Sequence, residues 1–258
     1  MRRARGLEYD DQGNGEPILL IHGSWIAGAF VPLMTEPTLA DRYRLIRYHR
    51  RGFAGSDPVL DTPDLAELAG DAVALLEHLG VDRAHVVGHS AGGAVAAQLA
   101  VDRPAFVLSL ALLEPALLTR DEATAFADAF APIVELCRRG EGEMGADLFM
   151  GPDWRAEVRG TIPGGEAQVL ADVAAFAASD SPAVTTQAWS DADRGRLECP
   201  ILHIRGDEST FDSTRVVRLL APHVEEVLIE GVGHGLQIVK PKPVARTIAD
   251  FLARHPLS

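Results

Sequence analysis

Apolar positions along the chain fall into two alternating rhythms. Short runs rich in Val, Ile and Leu at residues 16–22, 43–49, 83–88, 107–113, 200–205 and 225–230 predict strands. The stretches between them repeat apolar residues every third or fourth position, which is helical spacing. Strand and helix alternating in this way predict an α/β fold with a mostly parallel sheet flanked by helices. One helix is sharply written over residues 62–79. Thr62 can cap it, Pro63 fits its first turn, and Leu65, Leu68, Ala69, Ala72, Val73, Leu76 and Leu79 share one face before Gly80 stops it. The opposite face carries Asp64, Glu67, Asp71 and Glu77, read as solvated charges.

The rhythm is lost between residues 115 and 198. Amphipathic helical stretches take over there, punctuated by Gly140, Gly142, Gly151-Pro152, Pro163-Gly164-Gly165 and Pro182. The expected organisation is therefore a core of residues 1–114 and 199–258 carrying a helical insertion of residues 115–198. A chain of 258 residues with 47% hydrophobic content can bury one large core of this kind. No internal repeat or low-complexity tract interrupts it.

Composition narrows the partners. The basic start, Met1-Arg2-Arg3-Ala4-Arg5-Gly6, runs into Glu8, Asp10 and Asp11 rather than an apolar stretch, so no secretory signal is visible. The apolar runs are too short to span a bilayer. With no membrane segment, a cytoplasmic location is expected. The 2 cysteines, Cys137 and Cys199, lie far apart and read as reduced residues rather than a disulfide or a metal site. A formal charge of −13, with lysine only at Lys240 and Lys242, disfavours nucleic acid. The expected partner is a small molecule, with no cofactor and no metal; a homodimer stays open.

The densest chemistry sits in Gly88-His89-Ser90-Ala91-Gly92, between the strand-like His85-Val86-Val87 and an Ala-rich helical run from Ala91 to Val101. A serine on a sharp strand-to-helix turn needs neighbours without bulk two residues to either side, which accounts for both glycines. Upstream stand Ile18-Leu19-Leu20-Ile21 followed by His22-Gly23-Ser24-Trp25, and then Arg51-Gly52-Phe53-Ala54-Gly55-Ser56. Downstream, Gly231-Val232-Gly233-His234 precedes Pro241 and a last helix.

In these segments and their order, the chain resembles the α/β-hydrolase superfamily over almost its whole length. The resemblance implies an insertion serving as a cap over the substrate pocket, Ser90 as nucleophile and His234 as base. It also implies an oxyanion hole made by the backbone amides of Ser24 and Ala91. His22 and His89 are read as structural. Most members place the acid in a Gly-x-x-Asp turn, but the corresponding position in Gly206-Asp207-Glu208-Ser209 is serine. Asp207, Glu208 and Asp212 are close enough to substitute through a shifted register. The preferred candidate is Glu114 in Leu112-Leu113-Glu114-Pro115, because active-site groups of open parallel sheets collect at strand C-termini. This arrangement is similar to haloalkane dehalogenases and zearalenone-type lactonases, and a serine nucleophile excludes the dehalogenase and epoxide hydrolase chemistry that uses aspartate.

The resemblance thus points to a carboxylesterase or lactonase acting on a mostly apolar substrate through an acyl-serine. Cofactor-free oxygenation, carbon–carbon bond hydrolysis, acyl transfer and simple ligand binding are alternatives on the same scaffold. In the insertion, Phe126, Phe130, Met144, Leu148, Phe149, Met150, Trp154, Phe176 and Trp189 divide between packing and pocket lining. Trp154 and Trp189 are expected to face the cavity, and Trp25 to stand at its edge.

Overall fold

The computed structural model describes residues 1–221 and 223–257. Each apolar run becomes a strand of one sheet: β3 (Glu16–Ile21), β4 (Tyr43–His49), β5 (Ala84–His89), β6 (Val107–Leu113), β7 (Ile201–Gly206) and β8 (Val224–Ile229). Two further strands, β1 (Arg2–Ala4) and β2 (Leu7–Gln12), complete an 8-stranded sheet in the order β1-β2-β4-β3-β5-β6-β7-β8. β1 pairs antiparallel with β2, and β2 antiparallel with β4; every other neighbour is parallel. β2 falls outside the apolar runs because LEYDDQ offers just Leu7 and Tyr9 to the core. That alternation suits a strand buried on one face.

The central strands are apolar on both faces because helices cover both. Leu65–His78 and Ala91–Asp102 pack against one side, and Pro241–Leu252 against the other. The N-cap of Leu65–His78 is Asp64 rather than Thr62, and Pro63 lies ahead of the helix. Asp64 accepts a hydrogen bond from the Glu67 amide, and Glu67 returns one to the Asp64 amide. Two of the charges read as merely solvated therefore close a capping box, worth about 1 kcal/mol. A third, Asp71, pairs with Arg51.

Between β6 and β7 the chain leaves the sheet and runs through helices that begin with Arg120–Arg138 and end with Ser181–Thr186. The departing and returning strands of this excursion are tied together: Trp189 N–H donates to Leu118 O at 2.9 Å beside a Thr119–Trp189 bridge. The insertion has its own core, in which Trp25 stacks on Phe176 with ring centroids 5.0 Å apart and leans on Phe149 at 5.5 Å. Such aromatic pairs contribute about 0.5–1.5 kcal/mol beyond the area they bury. Among the described residues, no helix is long and apolar enough to cross a membrane.

Candidate active site

Four strand ends meet above the sheet. Ser90 follows β5 directly, Glu114 follows β6, Gly206 ends β7, and His22-Gly23-Ser24 follows β3. In-register pairing of His89 with Leu113 and of Leu113 with Ile204 sets these tips side by side.

Ser90 adopts φ 51°, ψ −122°, a region that costs a non-glycine residue roughly 1–3 kcal/mol. Its surroundings hold it there. The Ser90 amide donates to Leu113 O at 3.0 Å, while its carbonyl accepts from Gly93 at 2.9 Å and Ala116 at 2.8 Å. The two flanking glycines are required by close approach. A Cβ on Gly92 would stand 2.2 Å from the Ile21 and His22 carbonyl oxygens, and one on Gly88 would stand 2.5 Å from Gly92 O. The helix Ala91–Asp102 thus starts directly under the serine with its positive end toward the cavity.

Glu114 is 0% exposed and, like Ser90, has positive φ, at 42°. A buried carboxylate must be compensated by donors. Gly206 N–H donates to Oε1 at 2.8 Å, Ser209 Oγ donates to Oε2 at 2.7 Å, and His234 Nδ1 lies 2.6 Å from Oε2. Burial raises its pKa, but the His234 hydrogen bond and charge, with the Ser209 and Gly206 bonds, outweigh burial and hold it below the usual carboxylate value. Because an ionised carboxylate only accepts, Nδ1 of His234 carries the hydrogen and Nε2 is left as a base.

His89 packs its ring 4.7 Å from the His234 ring and donates from Nε2 to the His234 carbonyl at 2.9 Å. Burial, then the His234 charge, pushes its pKa down to about 3, so it stays neutral and fixes the backbone of its neighbour. The other acid candidates are engaged elsewhere. Asp207 accepts from the Gly231 amide at 2.7 Å, and Asp212 faces Arg205 at 3.4 Å and the Thr214 amide. Glu208 lines the cavity, and the carboxylate that meets His234 Nδ1 is that of Glu114.

The cavity has two lobes. The larger, about 370 Å³, is lined by Ser24, Ser90, Ala91 and His234 and walled by Phe126, Phe130, Phe149, Phe176 and Phe211. The smaller, about 140 Å³, shares Ser24, Ser90, Phe149 and His234 and extends to Met150, Trp154 and Glu157. Trp154 therefore reaches the cavity, with its indole N–H bound to Asp147 at 2.8 Å. Trp25 and Trp189 do not line either lobe, which corrects the expectation for both. Trp25 is 1% exposed and buried between the insertion's phenylalanines. Trp189 is 2% exposed in the stem of the insertion, where strand-like pairing with Thr119 turns it into the sheet-side core. Sequence reasoning missed Phe211 as a wall residue and Ser209 as a donor to the carboxylate. It also missed Arg50 and Asp180, a buried pair beside the loop after β3, where Arg50 bonds the His22 and Gly23 carbonyls.

Comparison with known proteins agrees with this architecture. Over 116 residues, 42% of this chain, it is 40% identical to the dihydrolipoyllysine-residue acetyltransferase component of the acetoin cleaving system of Cupriavidus necator; the match spans 29% of that relative's own length. The structure resembles a thermophilic esterase from Thermogutta terrifontis with TM-score 0.82 and 22% identity, covering 97% of this chain and 94% of that one. It resembles the enol-lactonase from Burkholderia xenovorans with TM-score 0.80 and 20% identity, covering 96% of each. The model of the alpha/beta hydrolase family matches residues 18–247, and the chain belongs to that family.

Proposed function

We propose that the protein is a serine hydrolase that cleaves an uncharged, mostly apolar carboxylic ester or lactone through an acyl-serine intermediate. The observation that carries this reading is the short contact between His234 Nδ1 and the buried, threefold-donated Glu114, with the His234 ring and Ser90 lining one cavity. In the proposed reaction, Ser90 Oγ attacks the carbonyl carbon while its proton passes to Nε2 of His234. Glu114 stabilises the resulting imidazolium. The tetrahedral oxyanion is received by the Ser24 and Ala91 amides, aided by the positive end of Ala91–Asp102. Collapse of the intermediate expels the alcohol, which takes the proton from His234. Water then repeats the sequence on the acyl-serine and releases the acid.

The lining supports the substrate class. Five phenylalanines offer an aryl-sized apolar surface, and the charged side chains on the two lobes are the carboxylates Asp180, Glu208 and Glu157. Among the described residues no Lys or Arg lines either lobe, so a substrate carboxylate would be buried without a counter-charge. A panel of p-nitrophenyl esters and lactones, with products identified by mass, tests this reading. Neutral aryl esters should be turned over by the wild type and not by Ser90→Ala. Turnover that survives Ser90→Ala overturns it.

A further inference from the structure

The peptide linking Gly23 to Ser24 is gripped by its carbonyl. Gly23 O accepts from Arg50 Nη2 at 2.9 Å and from His22 Nδ1 at 2.7 Å. The His22 ring can supply that second donor in only one tautomer, since its Nε2 accepts the Arg50 backbone N–H at 3.0 Å. Burial, reinforced by the Arg50 charge, holds its pKa well below the ordinary histidine value, so the ring stays neutral and the tautomer is fixed. In a planar trans peptide the C=O and N–H point in opposite directions. Fixing the Gly23 carbonyl toward Arg50 therefore turns the Ser24 N–H away from Arg50, and Ser24 lines the cavity together with Ser90.

Arg50 is itself held. Its Nε donates to His22 O at 3.0 Å, its plane lies over Phe53 at 4.8 Å, and its Nη1 and Nη2 reach the two Asp180 oxygens at 2.5 and 3.0 Å. Both partners are buried, 1% and 2% exposed. Asp180 ends a wide helical turn, Phe176–Asp180, inside the insertion, and such turns recur at functional sites. The same turn supplies Phe176, on which Trp25 stacks; Trp25 holds φ 67° immediately after Ser24. The oxyanion loop is thus pinned by Arg50 on one side and by the seated insertion on the other.

We propose that Arg50 and Asp180 are positioning residues that transmit the seating of the helical insertion to the Ser24 N–H, aligning it for the charged intermediate. This rests on the serine-hydrolase reading above. Neither residue touches the reacting atoms; Asp180 reaches the large lobe only as a wall residue with both oxygens bonded to Arg50, so the effect of the pair is expected in the transition state rather than in substrate binding.

The test uses the full chain. Arg50→Lys keeps the charge but loses the planar fork that reaches both carbonyls and both carboxylate oxygens. Losing one oxyanion donor outright costs about 10²–10³ in rate, so misaligning one should lower kcat about 10–100-fold with KM within about twofold. Affinity for phenylboronic acid, whose boron takes the serine oxygen to become a tetrahedral anion, should fall in parallel, while the midpoint of the pH–rate profile stays in place. Asp180→Asn should move kcat and boronate affinity in the same direction by a smaller factor. Arg51→Gln, which removes a guanidinium paired with Asp71, should leave both unchanged. Wild-type kcat and boronate affinity in folded Arg50→Lys and Asp180→Asn, or a loss carried by KM alone, overturn the proposal. Should Arg50→Lys not fold, Asp180→Asn decides by the same criteria. Activity independent of Ser90 would overturn the serine reading and this proposal with it; Ser90-dependent activity indifferent to both variants overturns this proposal alone.

Discussion

The hydroxyl of Ser209 donates to Oε2 of Glu114 at 2.7 Å, on the same oxygen that faces His234 Nδ1. The turn after β7 thus supplies a donor to a buried carboxylate that comes from the end of β6.

This arrangement ranks the carboxylates. Glu114→Gln preserves shape but removes the charge and can hold the wrong histidine tautomer, a change worth on the order of 10⁴ in rate in a well-studied triad. Asp207→Asn and Asp212→Asn should cost roughly tenfold or less, because Asp207 holds the Gly231 amide and Asp212 the Thr214 amide. The kcat/KM values of the three variants on one p-nitrophenyl ester check this, and the reverse ranking would move the acid to the β7 turn.

Glu114 also links stability to pH. Its folded pKa lies below the ordinary value of 4.5, so its contribution is fully present above that value and is lost as pH falls through the folded pKa. Ser209→Ala removes one of the bonds that depress it. Acid unfolding of this variant, followed by circular dichroism between pH 2 and 6, should begin at a higher pH than in the wild type.

The strained backbone at Ser90 separates catalysis from stability. Ser90→Ala should lower kcat by about 10⁶ while leaving the melting temperature nearly unchanged, since alanine inherits the same φ. Ser90→Gly should be equally inactive and more stable than Ser90→Ala by about 1 kcal/mol, read from thermal unfolding. Equal stability of the two would remove strain from the account of this turn.

The aromatic walls and the stem tryptophan should separate in a substrate panel. Phe126→Ala removes surface from the large lobe and should weaken kcat/KM for bulky aryl esters more than for a small acetate, because remote contacts act only on substrates that reach them. Trp189→Ala should instead destabilise the fold by about 3–5 kcal/mol, with short and bulky esters affected alike.

Asp172 predicts a second pH effect, of opposite sign. One of its oxygens accepts from the Ala54 amide at 2.9 Å and Gln168 at 2.8 Å, joining the insertion to the loop after β4. Burial raises its pKa from 3.8 to about 6, against those hydrogen bonds. A raised folded pKa gives stability that is present below pH 3.8 and lost as pH rises through about 6. Asp172→Asn should remove this loss, gaining about 1–2 kcal/mol on the wild type between pH 4 and 7 after allowance for solvent screening. Parallel stability curves for the two proteins over that range would count against it.

What the sequence alone determined is the set of features written locally. Apolar runs specify the six strands from β3 to β8 because period-two and period-3.6 burial are visible within a few residues, and Gly88 marks the turn because the crowding it relieves comes from the helix that follows; the carbonyls of residues 21 and 22 that crowd Gly92 are brought there only by the sheet. Glu114 was legible as the one carboxylate enclosed by apolar neighbours at a strand tip. Tertiary structure alone decided which distant side chains became partners. Ser209 meets Glu114 across 95 positions and Arg50 meets Asp180 across 130, and nothing in either residue's own neighbourhood encodes the other. Trp189 looked like a cavity wall for the same reason: an aromatic residue in an insertion is apolar on either side of the stem, and only the pairing of residues 118–119 with 189 turned it into the core. Local chemistry selects the elements, whereas the register of strand tips and the seating of the insertion select the contacts, and those depend on packing summed over the whole sheet.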